Sequence, residues 1–491
     1  MTTINTNIGA INAQANMTRV NEEMNTAMNR LSSGMRINAA KDDAAGMAIA
    51  EKMTSQIMGL NQAMRNATDG KSLVDTTEGA HVEVSNMLQR LRELAVQSSN
   101  DTNTAANRGN IVAESSQLIA EINAVAENTN FNGMKVLDGS FSNMQLQIGA
   151  DRGQTMSLNV ESAAATDIGS NVVRSASTVD TGAGLTDTDT AIAGGETVTL
   201  TGYAGSASVT TTAGQSAKSL ADEINKLSSS TGVEATAITK AQLSGFTAGD
   251  TVSFSIGTTA GNAVSIGDVS ITDASDVRGL RDAINAVSGQ TGITAQMASS
   301  TDNSKIILMD ANGDDIMLTG VSSSTADFNV DSLDASGAVT ASATDLGQTT
   351  NSAAVTGSVE VTSTKAFTVA SSAAEHFGST AEGSTLESVA EINLSTAKGA
   401  SDAISVIDKA IQKISQSRSD LGAVSNRLDS TISNLTNITV NVESARSGVI
   451  DADFAKESSA MARGKILSQA ATAMLAQANA SQQNVLSLLR G

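Results

Sequence analysis

Apolar residues recur at helical spacing at both ends of the chain and lose that spacing between them. Ile4, Ile8 and Ile11 stand 4 and 3 apart, and Met17, Val20, Met24, Ala27 and Leu31 continue at 3, 4, 3 and 4. Such a row makes one stripe along an α-helix, so the region from about Ile4 to Ala126 reads as helix. Met47, Met53, Ile57, Leu60 and Met64 form further stripes, as do Met87, Leu91 and Leu94. A third helix runs from about Asn107 to Ala126, with Ile111, Leu118, Ile122 and Val125 inward. Near the other end, Ile404, Ile407, Ile411, Ile414, Leu421, Leu428, Leu435, Ile438 and Val442 keep a seven-residue frame, with Arg418 and Ser425 as polar interruptions. A heptad held this long predicts coiled-coil packing. Gly448 and Asp451 mark a break, and a last amphipathic helix starts near Phe454, carrying Ile466, Leu467, Met474, Val485 and Leu488.

The period changes after Asn130. Phe131-Asn132-Gly133 is a turn signal, and Met144 to Gly149 alternates apolar and polar, which predicts a β-hairpin. Residues 166–395 are rich in Thr, Ser, Ala, Gly and Asp, with strand-like pieces such as Thr197-Val198-Thr199-Leu200 and Thr251 to Ile256. An internal repeat lies here. Leu220-Ala221-Asp222-Glu223-Ile224-Asn225 matches Leu280-Arg281-Asp282-Ala283-Ile284-Asn285 at an offset of 60, and Ser228, Thr231-Gly232 and Ala235 match Ser288, Thr291-Gly292 and Ala295. Two β-rich modules follow, about 196–240 and 251–300, each with strands, one short helix and a Thr-Gly turn.

The ends can bury their stripes most cheaply against one another, which brings the termini together and leaves the middle as an insertion. A simple dimeric coiled coil is the competing reading. Composition sharpens the picture. Aromatics make up 2% of 491 residues, with no Trp and one Tyr, so the core is aliphatic. Proline is absent where ordinary usage gives roughly 25; that suits long helices and a chain free of slow isomers. With no cysteine, disulfides, thiolate metal sites and Cys nucleophiles are excluded. The net charge of −21 divides as −5 over 1–165, −18 over 166–395 and +2 over 396–491. Near-neutral ends suit protein contacts and an acidic middle suits solvent; no basic face for nucleic acid is present. No apolar run is long enough to span a membrane, and the first residues lack a classical signal peptide.

Particular residues carry a resemblance. Arg30-Leu31-Ser32-Ser33-Gly34-Met35-Arg36-Ile37-Asn38 with Ala40-Lys41-Asp42-Asp43 to Ala50 resembles the N-terminal signature of bacterial flagellins, and Arg90 to Gln97 their second helical motif. Phe131-Asn132-Gly133 with Val136-Leu137 resembles the hairpin entry. Asn441 to Arg446, Ile450 to Ala455 and Leu486-Ser487-Leu488-Leu489-Arg490-Gly491 resemble the C-terminal signature. The likeness spans about 1–160 and 396–491. The repeated middle resembles the family's hook-type insertion module.

The resemblance implies an α+β fold. Paired N- and C-terminal helices form a coiled-coil-like core of three or more long helices plus a β-hairpin, with inserted β-rich outer domains each carrying a short helix. Its expected parts are an inner-core helix 1–42, a core half 43–165, an outer insertion 166–395, a second core half 396–450 and a closing inner-core helix 451–491. The function implied is a secreted structural subunit that polymerises into the flagellar filament for swimming, with no enzymatic activity and no cofactor. Subunit contacts are expected at Ile4, Ile8, Ile11, Leu31, Ile37, Phe454, Ile466, Leu467, Met474, Val485, Leu488 and Leu489. The partners implied are other copies of the chain in a helical homopolymer, an export chaperone at the C-terminal helix, and the filament cap and hook–filament junction proteins. Toll-like receptor 5 is a further partner of released monomer, with Arg90, Leu94 and Glu114 as contact and core packing.

Other chemistry is sparse. Adjacent Asp42 and Asp43 point apart on a helix and chelate poorly, so a turn, capping or ion-pair role is expected. Asp310, Asp314 and Asp315 around Gly313 read as a polar turn in preference to a cation site. His81 reads as a packed or solvated helix residue, and Glu375-His376 does not extend to a zinc motif. The Ser/Thr-rich middle could carry O-linked sugars at unspecified positions. A hook–filament junction protein, a stalked β-rich adhesin and an enzyme hidden in the middle remain alternatives.

Overall fold

Asn7 opens the first helix. Its side-chain oxygen accepts the Ala10 amide at 3.0 Å, supplying a partner that the helix itself cannot. α1 (Ile8–Ser33) then meets no breaker until Gly34, whose φ of 73° ends it in the left-handed region. In this computed structural model the described residues are 6–182, 185, 194–298, 302–324, 327–347, 350–372, 377–378 and 381–490, with the backbone alone for 342–345 and 482–490.

Asp42 and Asp43 start the next helix. Asp42 Oδ2 accepts the Asn38 and Ala39 amides, which hold its carboxyl below the usual carboxylate range, and Asp43 Oδ1 accepts the Gly46 amide at 2.9 Å. α2 (Ala44–Ser99) is one helix of 56 residues. α3 (Ala105–Asn128) follows, capped by Thr104 on the Asn107 amide. Asn132 and Gly133, at φ 51° and 81°, close the hairpin of β1 (Asn130–Phe131) and β2 (Met134–Lys135), the paired positive values of a type I′ turn. β3 (Met144–Gln147) and β4 (Thr155–Leu158) form a second hairpin.

The outer strands come next: β5 (Gly169–Arg174), β6 (Val179–Gly182), β7 (Thr197–Thr201) and β8 (Ser206–Thr210). After these the chain forms α4 (Ala217–Lys226), the single turn α5 (Ser228–Thr231) and the long β9 (Glu234–Ser244). β10 (Asp250–Gly257), β11 (Val264–Ser265) and β12 (Val269–Ile271) precede α6 (Arg278–Thr291). Then come β13 (Thr294–Met297), β14 (Ile306–Asp310), β15 (Ile316–Ser323), β16 (Phe328–Leu333), β17 (Val339–Leu346) and β18 (Ser352–Val355). β19 (Ser358–Ser363), β20 (Thr368–Ser371), β21 (Glu382–Gly383) and β22 (Thr385–Ser388) lead back to α7 (Ala397–Ile450) and α8 (Phe454–Arg490). Of Gly448 and Asp451, expected to mark the last break, Gly448 lies inside α7 and Asp451 opens the break at 451–453.

The chain forms two compact units. The first comprises Met1–Thr76, Ser142–Asn159 and Asp420–Gly491. In it α1 and α8 run antiparallel: Asn7 Nδ2 donates to the Ala478 carbonyl, Ser468 Oγ to Asn21 Oδ1, and Arg30 pairs with Glu457 at 3.2 Å. Gly464 sits where any Cβ would stand 3.1 Å from that of Met24, so the helices approach closely there. The start of α2 pairs with the end of α7 through Leu60, Ala63 and Leu435, flanked by Lys71–Asp429 at 2.6 Å. Gly59 and Gly70 of α2 admit the β3–β4 hairpin; a Cβ on Gly70 would lie 2.6 Å from Leu146. The two helix breaks join: the Arg36 amide donates to Ile450, and the Ala452 amide donates to Gly34.

The second unit comprises Thr77–Phe141 and Val160–Ser419. Its helical part joins the rest of α2, α3 and the start of α7, tied by Arg92–Asp408 at 2.6 Å and Arg418–Glu78 at 2.8 Å. Thr77, His81, Val84, Leu88, Leu91, Ala95 and Ser98 of α2 are buried at alternating spacings of 4 and 3, the frame of a coiled-coil seam. Ile407, Ile414, Leu421, Leu428 and Leu435 of α7 are buried at intervals of seven, as the sequence predicts.

Among the described residues the outer strands form three sheets, all antiparallel. Their orders are β13-β14-β9-β19-β5-β22 with β16 and β17 attached, β11-β10-β15-β18-β6 with β12 attached, and β21-β20-β7-β8. α4 buries Leu220 and Ile224 with Val198, Leu200, Val361 and Phe367. α6 buries Leu280 and Ile284 with Phe254, Leu308, Leu318 and Phe328.

The sixty-residue repeat has a mechanical meaning. Asn225 Nδ2 donates to the Ala235 carbonyl and its Oδ1 accepts the Ala235 amide, both at 2.8 Å. Asn285 does the same to Ala295, also at 2.8 Å. Each Asn clamps its helix to the outgoing strand. The intervening Thr231-Gly232 and Thr291-Gly292 stop the helix, with glycine φ of 75° and 77°.

Candidate assembly interface

The apolar residues of the terminal helices divide between two faces. On α1, Val20 and Ala27 are buried, and Met17, Met24 and Leu31 half-buried, all on one stripe; this stripe meets α8. Ile8, Ile11, Phe454, Ile466, Leu467 and Met474 are 44–73% exposed. These side chains stay in solvent beside the residues that the helix pairing buries. Of the expected contact residues, Ile4 and the side chains of Val485, Leu488 and Leu489 lie outside what the structure describes. Ile37 is buried inside its own unit, against the turn that Gly46 keeps open, so its side chain serves folding within the subunit.

Several outward apolar residues escaped the sequence reading: Met28 on α1, Ile49 and Met58 on α2, and Val440 on α7. A periodic stripe selects the buried face. The signal for the other face was an apolar residue immediately following a stripe residue, as in Ala27-Met28 and Ile57-Met58.

The α2–α3 face carries charge. Arg90 pairs with Glu93 and Glu114, each at 2.8 Å, and hydrogen bonds to these carboxylates raise its guanidinium above its ordinary value. All three are exposed, whereas Leu94, one turn on, is buried beneath them. The surface therefore offers Arg90 and Glu114, and Leu94 is packing.

Asp310 Oδ1 accepts the Asn312 amide at 2.7 Å and Asp314 pairs with Lys218 at 2.8 Å, so this acidic turn is internally used. Among the described residues no three His, Asp or Glu side chains stand close enough to hold a metal ion. Glu375 and His376 lie outside the described residues. His81 is 1% exposed, and neither ring nitrogen has a hydrogen-bond partner. No described helix is long and apolar enough to cross a membrane.

Long helices from both ends that pair and still expose apolar residues define a subunit of an extended assembly. Comparison with known proteins agrees along the whole chain. The bacterial flagellin N-terminal helical region matches residues 4–142, the C-terminal helical region 404–489, and the flagellin hook IN motif 197–249. The B-type flagellin of Pseudomonas aeruginosa is 39% identical over 497 residues, covering 99% of both chains. Flagellin of Salmonella typhimurium is 37% identical over 516 residues and flagellin A of Vibrio cholerae 32% over 487, each with 99% coverage of both chains. Among solved structures, FliC from Burkholderia pseudomallei is 19% identical with a TM-score of 0.29, covering 73% of this chain and 99% of its own. Flagellar hook associated protein-3 from Legionella pneumophila is 13% identical with a TM-score of 0.36, covering 81% and 98%. The chain belongs to the bacterial flagellin family. It is a structural subunit of the flagellar filament, and its role in motility follows from that family.

Proposed function

We propose that the paired α1 and α8 form the assembly surface, and that the protein is exported to the cell exterior, polymerises there and performs no catalysis. The observation that carries this reading is the row of exposed apolar residues on two helices already paired with each other: Ile8 and Ile11 on α1, and Phe454, Ile466 and Met474 on α8. Burial of apolar surface contributes about 25 cal/mol per Å². A contact that repeats without closing gives an open helical filament. Within it, 1–42 and 451–491 make the inner part, 43–165 and 396–450 the helical core, and the acidic 166–395 the outer insertion. Ile4, Leu31, Val485, Leu488 and Leu489 join the contact by position. An export chaperone would cover the exposed face of α8 beforehand, and the cap and hook–filament junction proteins would meet the same ends. Released monomer would engage Toll-like receptor 5 through Arg90 and Glu114, with Leu94 supporting them from below.

The test is seeded polymerisation of purified protein, imaged by electron microscopy, for the parent and for Ile466→Glu combined with Met474→Glu. Both positions are exposed, so the monomer should keep its helicity while filament growth stops. Normal filaments from the double variant would remove α8 from the assembly surface.

A further inference from the structure

The sequence repeat covers only part of what the fold repeats. Around α4, β7 pairs with β8 on one side and β20 on the other, and the start of β9 pairs with β19. Around α6, β10 pairs with β12 and with β15, and β13 pairs with β14. All these pairings are antiparallel. Strand by strand, β7, β8, α4, the start of β9, β19 and β20 correspond to β10, β12, α6, β13, β14 and β15.

The correspondence reaches single positions. Ala235 faces Val361, and Ala237 faces Val359. Sixty residues on, Ala295 faces Leu308, and Met297 faces Ile306. Val359, Val361, Ile306 and Leu308 are all buried. β20 begins ten residues after β19, at Thr368 and Ser358, and β15 begins ten residues after β14, at Ile316 and Ile306. Each helix also packs in a separate apolar core, and the one around α6 is completed by the end of β9 and by β16, β17 and β18. The closing strands share only their buried positions, which is why sequence matching alone ends before them.

One set is continuous from Asp250 to Ser323; the other opens with Thr197–Ser244 and closes with Ser358–Ser371. We infer that the outer region is a duplicated module in which a complete second copy is nested inside the first, between β9 and β19. The hook motif match reaches only the opening part of the first copy. The second copy is therefore a cassette: it contains every strand of the module, whereas the first copy cannot close until the chain returns from it. β9 is the tie between them, because beyond Ile238 it leaves β19 and pairs with β14 and β16. Ile238 faces Ser358 across the first copy, so a two-residue turn could join them directly.

The deciding experiment measures amide hydrogen exchange in the full chain. Asn225→Ala and Asn285→Ala each remove one clamp of two hydrogen bonds. Each should speed exchange about tenfold or more around its own helix and outgoing strand, and leave the other copy unchanged. Equal acceleration in both copies by either variant would show one indivisible fold and overturn the nesting. A second chain, with residues 239–357 replaced by Asn-Gly, should keep the parent's protection over α4, the start of β9 and β19. Loss of that protection while the terminal helices stay folded would also overturn it. Should that chain not fold at all, the two Asn variants decide.

Discussion

Acidification should weaken the second unit through one side chain. His81 occupies a seam position of α2, 1% exposed, with no partner on either ring nitrogen. Burial pushes its imidazole down from 6.5 to about 4, against the pull of Glu78 and with the help of Arg418. Below pH 6.5 the unfolded chain takes up a proton that the folded chain refuses until about pH 4. The contribution is thus complete above 6.5, falls as the pH drops through that window, and levels off below about 4. At about 1.4 kcal/mol for each tenfold change in proton affinity, the distance from 6.5 to about 4 amounts to about 3 kcal/mol. His81→Leu puts an apolar side chain in the seam and removes the titration. The assay is denaturant unfolding, followed by far-ultraviolet circular dichroism, for parent and variant between neutral pH and about 4. The stability gap should widen by about 3 kcal/mol on acidification, with the variant ahead. Parallel curves would refute the reasoning, because every other group titrates alike in both chains.

Three further outcomes follow from the geometry. Gly133→Val forces a β-branched residue to a φ of 81°, so it should destabilise the β1–β2 hairpin by about 1–3 kcal/mol, read as faster amide exchange there. Asp43→Ala removes the carboxylate that holds the Gly46 amide and should lower the stability of the first unit by about 1 kcal/mol in denaturant unfolding. Lys365→Ala breaks the pair with Glu161 and uncovers the Tyr203 ring, 5.8 Å from the ammonium. As a half-buried single pair it should change stability by about 1 kcal/mol, while Tyr203, the sole tyrosine in a chain without Trp, should become more open to a fluorescence quencher.

The terminal helices were legible because a stripe at 3.6-residue period has few other interpretations; Ile407 to Leu435 are buried at the predicted interval. The Asn132-Gly133 turn was legible for a similar reason, since few sequences accept two positive φ values. The exposed apolar face was not: Met28, Met58 and Val440 stand off the main stripe, and a period analysis discards what it does not fit. His81 was left between packed and solvated, although the frame of Thr77, Val84 and Leu88 assigns it to the seam once α2 is seen as one helix. Strand pairing was the least accessible layer. β9 meets β19 across more than a hundred residues, and nothing local in either strand names its partner. Ile37 is the complementary case: a signature residue expected at the subunit contact is buried within its own unit.

The antiparallel pairing of α1 with α8 also sets a timetable. Asn7 meets Ala478, and Asn21 meets Ser468, separated by more than four hundred residues of chain. A ribosome therefore releases α1 long before α8. Throughout that interval Val20 and Ala27 have no helix to lie against, and an isolated stripe of this kind is marginal in water. The first unit can mature only after α8 has been made. A nascent chain of this design carries α1 without its partner helix until α8 has emerged, so the α1–α8 seam cannot guide any earlier step of its folding.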